Sequence, residues 1–79
     1  MDSKKLHALL ILIIPKTIEQ IAIQTKIPEI EIIKSFYQSK VYELLEDEKT
    51  GLWNYSALTL CNMFITEQET GKIAFPEGT

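Results

Sequence analysis

The chain has 79 residues, a single cysteine and a net charge of −3 at pH 7, and 46% of its residues are hydrophobic. That length predicts one domain. A domain so small hides only about 60–65% of the surface its unfolded chain exposes, which leaves two readings of the apolar content: a densely filled core, or apolar surface kept for a second copy or a partner. All eight basic residues are lysine and the pI is near 5.0, a composition that argues against strong nucleic-acid binders, which gather positive charge and favour the planar arginine fork. Cys61, standing alone, excludes an intramolecular disulfide and a cysteine-based zinc site, and suits a reducing cytoplasm.

Apolar spacing is helical along almost the whole chain, and it predicts an all-α fold: a compact four-helix domain with an extended C-terminal tail. The first predicted helix covers residues 4–14, with Ser3 as its N-cap. Leu6, Leu9, Leu10 and Ile13 form one face. Ile11, Leu12 and Ile14 widen it until most of the helix is apolar, the pattern of a helix surrounded by others. Two lysines precede the apolar run 8–14, but no small-residue cleavage site follows it. The run is far short of the roughly 20 residues that span a bilayer, so a core helix is expected rather than a signal peptide or a membrane span.

Pro15 ends or kinks this helix. Thr17 opens the second predicted helix, with Gln20 completing a capping box. Ile18, Ile21 and Ala22 share one face, and the helix stops near Thr25. Lys26 and Ile27 turn the chain. Pro28 suits the first position of a third helix, and Glu29 and Glu31 place negative charge in its first turn, where the helix dipole favours it. This third helix is expected to be long, with Ile30, Ile33, Tyr37, Val41, Leu44 and Leu45 as its stripe and Phe36 beside them, ending before Gly51. After a short loop, Ser56 caps a fourth helix that carries Ala57, Leu60, Cys61 and Phe64, with Leu58 and Ile65 beside them; Gly71 ends it. In the tail 72–79, Ile73 and Phe75 alternate as in a strand, folding over the core or pairing with residues 52–55. The echo of EKTG at 48–51 by QETG at 68–71 reads as one helix-ending chemistry used twice.

Residues 17–36 have the outline of a helix-turn-helix, with Ala22 and Ile27 at the packing corner, and they resemble helix-turn-helix regulators. That resemblance implies DNA contacts from Lys26, Lys34 and Gln38. Glu29 and Glu31 would then face the phosphate-lined groove, so a packing role is the expectation and DNA reading the alternative. No catalytic, cofactor or metal site is expected, and no small-molecule substrate is evident. His7, the sole histidine, sits at the exposed end of an apolar helix; Cys61 falls on a buried stripe; the three glycines stand apart. The acids Glu43, Glu46, Asp47 and Glu48 lie near a helix C-terminus, where the dipole prefers cations. They are read either as solvated acids on a helix fraying near Leu45 or as a docking patch for a basic partner. Trp53 and Tyr55 follow, and either plug the core or join those acids in a partner site.

The second half of the chain carries a tyrosine-rich helix, an acidic stretch, TGLW at 50–53, a capped helix, and ETGKI followed by a hydrophobic residue and Pro76. In this it resembles a group of small, uncharacterised bacterial proteins. The resemblance covers more than half the chain and implies an antitoxin or accessory role beside a toxin; it assigns no residue a function. The resulting expectation is a cytoplasmic, non-enzymatic protein–protein interaction module, forming a homodimer or docking a partner through an apolar helix face and the acidic patch. No membrane contact is expected.

Overall fold

A single helix, α1 (Ser3–Thr25), runs unbroken through Pro15, where the sequence left open either two helices or one kinked helix. The structure is a computed structural model, and it describes residues 3–75. Ser3 lies inside α1 rather than ahead of it, and the cap of this helix lies outside the described residues. Proline in a helix interior removes one hydrogen bond and crowds the carbonyl four residues back, at a cost of about 3 kcal/mol. Here that carbonyl belongs to Ile11, and both Ile11 and Pro15 are exposed, so the penalty falls on the solvent side. The opposite side carries one uninterrupted buried row: Leu6, Leu10, Ile14, Thr17, Ile18 and Ile21. Each apolar member contributes roughly 1.5–3 kcal/mol when fully buried, so continuity of the row outweighs the proline. Thr17 is accordingly not a cap. It is fully buried, and its hydroxyl donates to the Ile13 carbonyl at 2.9 Å.

Lys26 ends α1 by adopting a left-handed φ of 61°, with its N–H donating to the Ala22 carbonyl at 2.8 Å. Pro28 then stands as the N-cap of α2 (Glu29–Tyr37). The expected long third helix is instead two. It breaks at Gln38 and Ser39, and α3 (Lys40–Glu46) starts anew. Ser39 caps α3 by accepting from the Tyr42 N–H, while Glu67 reaches across from α4 (Ala57–Thr70) to accept from the Lys40 and Val41 N–H groups at 2.8 and 3.1 Å. Three first-turn donors are thereby satisfied, which is what makes the break stable. The break also changes the helix phase. Ile32 and Phe36 face the core, whereas Ile30, Ile33 and Tyr37, expected inside, are 69, 40 and 47% exposed.

After α3 the chain folds through two single 3-10 turns, Glu48–Thr50 and Leu52–Asn54, hinged on Gly51 at φ 72°. Leu52 is the residue that plugs the core here, fully buried; Trp53 is half-buried. Ser56 caps α4 as expected, accepting from the Thr59 N–H, and Gly71 ends it at φ 76°. The core gathers where α1 and α4 pack along each other and α2 and α3 close over them, with Phe36, Val41, Leu45, Leu60 and Cys61 fully buried. Phe36 is its aromatic centre, 5.6 Å from the Phe64 ring and 6.0 Å from Tyr42. Ile73 leans on this core, but residues 52–54 are helical and no ladder with the tail forms among the described residues. Residues 76–79, the rest of the expected tail, lie outside the described residues.

Candidate functional site

Two stripes on α2 set the site. Ile32 and Phe36 occupy the buried side, and Ile30, Ile33 and Tyr37 form a second stripe centred roughly 110° further round at 3.6 residues per turn. A nine-residue helix cannot turn both toward one core. The second stripe therefore faces outward, beside the exposed Ile11 and Pro15 of α1. Between the two helices runs an open groove of about 500 Å³. On α1 its floor is Leu10, Ile11, Ile14, Pro15 and Ile18; on α2 it is Ile33 and Tyr37. Tyr42 of α3 closes one side, its ring 4.6 Å from Tyr37 in an edge-to-face arrangement.

The rim is acidic. Glu29, at the start of α2, and Glu46, the last residue of α3, reach it from different helices, with His7 of α1 as the third polar group. No lysine lines the groove among the described residues. Burial, and then the adjoining Glu46 carboxylate, raise the Tyr42 pKa above the ordinary tyrosine value.

The expected acidic and aromatic site is dispersed into local structure. Glu43 is exposed and pairs with Lys40 at 3.6 Å. Asp47 caps the first 3-10 turn, its carboxylate accepting from the Lys49 N–H at 3.0 Å. The Trp53 indole donates to the Glu48 carbonyl at 2.9 Å, which ties the ring down over the turn, and Tyr55 is half-buried against the core. Of the expected partner residues, Glu46 is the one that also lines the groove. α3 ends at Glu46, with the Asp47 N–H donating to the Leu44 carbonyl, one residue past Leu45, where one of the two readings had the helix fray.

Lys26, Lys34 and Gln38, the DNA contacts of the alternative reading, are all exposed, on the turn, on α2 and just past it. Glu29 and Glu31 are exposed at the leading turn of α2, the end that a reading helix inserts into the major groove. Cys61 is buried, and burial pushes its thiol pKa up, away from the reactive thiolate. No group of three or more His, Cys, Asp or Glu able to hold a metal occurs among the described residues.

Sequence reasoning passed over Ile33 and Tyr37 as core, Glu29 as a dipole residue and His7 as a bystander. The available signal was the surplus of stripes on α2. The unbroken α1 also changes one comparison. Residues Lys4–Thr25 form a helix long and apolar enough to cross a membrane, with mean hydropathy 1.6, where the apolar run taken alone was too short. A third of that window is buried against the rest of the chain.

Comparison with known proteins finds no matching family model, no matching curated protein and no matching solved structure.

Proposed function

We propose that this chain is a small cytoplasmic interaction module that docks a partner protein, or a second copy of itself, through the groove face of α1 and α2. The observation that carries the reading is the outward stripe Ile30, Ile33 and Tyr37 of α2 beside Ile11 of α1, at 71% exposure, on helices whose other side already fills the core. Apolar surface left in water forgoes about 25 cal/mol per Å², and a contiguous patch of it is the usual mark of a contact surface. Its location on two rigid helices suits recognition of a structured element. An antitoxin or accessory role in a bacterial cytoplasm follows from the resemblance of the second half of the chain and does not depend on the groove.

Site-specific photo-crosslinking tests the reading. A crosslinker at Ile33 is expected to give one discrete adduct in the native host, either with a second copy or with one protein. The same group at Asn62, exposed on α4, is expected to give none. A folded protein that yields no adduct at Ile33, and stays monomeric by light scattering at high concentration, would end the proposal.

A further inference from the structure

We infer that the groove takes a basic amphipathic helix of a partner protein, a segment with an apolar stripe flanked by lysine or arginine. This rests on the docking reading above and names the chemistry of its occupant. The shape comes first. From His7 to Ile18 the groove follows α1 for about 16 Å, at 1.5 Å per residue, close to three turns of a helix. It is open along that length. A small organic molecule would stay largely hydrated there, whereas pockets built for such ligands bury about 70–90% of their surface. A helix laid along the trough covers Ile11, Ile33 and Tyr37 together, with apolar anchors at i, i+3 or i+4, and i+7.

Charge selects among the possible helices. Glu29 and Glu46 line the groove beside its apolar floor, and no lysine lies in the lining among the described residues. An occupant whose apolar stripe is bordered by cations meets both carboxylates. A second copy placed groove to groove would bring four carboxylates together with no lysine between them. An anionic membrane surface is repelled by the same rim. Exposed pairs of this kind contribute modestly to affinity and strongly to the choice of partner, and salt screens them.

The test uses the full chain and three labelled helical peptides of about five turns, followed by fluorescence anisotropy at low and high salt. The first carries a leucine stripe flanked by lysines, the second the same stripe flanked by glutamates, and the third the lysines with the leucines scrambled. The lysine-flanked peptide is expected to bind about tenfold more tightly than either of the others at low salt, with the margin over the glutamate peptide shrinking as salt rises. A Glu29→Lys, Glu46→Lys double variant is expected to reverse the preference between the first two peptides. Ile33→Asp, at a site 40% exposed, is expected to abolish binding of both with the helical circular-dichroism spectrum unchanged. Isoleucine methyl shifts are expected to centre on Ile11 and Ile33.

Equal binding of the two patterned peptides at this face overturns the basic partner and leaves the docking reading standing. So does an Ile33-dependent dimer that excludes the peptide. Equal binding of the scrambled peptide, shifts centred elsewhere, or attachment of the face to anionic vesicles in place of the peptide also overturn it. No peptide binding together with no Ile33 crosslink defeats both proposals.

Discussion

The two halves of this chain are held by different means. From Ser39 onward the helices are positioned by named hydrogen bonds: Ser39, Glu67, Asp47 and Ser56 each answer backbone N–H groups at a helix or turn start. Before Ser39, α2 begins at Pro28 with no side-chain cap, and α1 ends on a lysine in a left-handed conformation. The apolar surface divides the same way. Ten of the twelve isoleucines fall between residues 11 and 33, and five of those ten, Ile11, Ile23, Ile27, Ile30 and Ile33, are exposed. Only Leu58 and Phe75 are large exposed hydrophobics in the second half, among the described residues. The C-terminal half is thus a satisfied scaffold, and the N-terminal half carries more apolar surface than that scaffold covers. Stability of the fold and the proposed partner contact would therefore draw on different residues.

Substitutions can break that division or sharpen it. The largest contrast lies within α2. Phe36→Ala removes a fully buried ring and is expected to cost about 3–5 kcal/mol, most of the stability of a domain this size. Ile30→Ala, six residues away on the outward stripe, is expected to change stability by less than about 0.5 kcal/mol. Urea denaturation of the pair measures both, and comparable losses would mean that the two stripes are not separate in role.

Glu67→Ala probes the scaffold's hydrogen bonding. Removing an acceptor shared by two N–H groups, one exposed and one part-buried, is expected to cost about 1–2 kcal/mol. It is also expected to speed amide exchange at Lys40 and Val41. Unchanged protection there would remove the cross-helix cap as the reason that α3 starts where it does.

The smallest effects have opposite signs at the two left-handed positions. Gly51→Ala places a side chain at φ 72° with open space around it, so it is expected to cost about 1 kcal/mol from backbone strain alone. Lys26→Gly relieves the same strain at φ 61° and is expected to stabilise by about 0.5 kcal/mol once the looser unfolded chain is counted. Thermal unfolding with both variants checks the signs. Destabilisation by Lys26→Gly would show that the lysine side chain itself holds the turn.

Much of this architecture was legible in the sequence because its signals are local. Ser56 and Gly71 bound α4 as read, since a cap and a left-handed stop act within a few residues. Gly51 stops the preceding turn for the same reason. The break at Ser39 was not legible. Ser39 is followed three residues on by Tyr42 and not by an acid, and the carboxylate that satisfies the first two N–H groups of α3 is Glu67, 26 and 27 residues from the donors it serves. The capping box read at Thr17 failed for the converse reason. A locally plausible cap was overridden by a buried row that continues on either side of it. The groove escaped notice because Glu29 and Glu46, seventeen residues apart, share a rim only once the chain has turned at Ser39.

The amino-acid sequence by itself determined that the fold is all-α and where its last helix starts and stops, and it left open whether its apolar residues fill a core or exceed it. These follow from periodicity, caps and composition, which require no knowledge of distant neighbours. Tertiary structure alone decided that α1 is one rod, that the third helix divides, and which of two stripes on α2 meets water. Those choices depend on the free energy of burying rows against partners far along the chain, a quantity that local spacing does not contain.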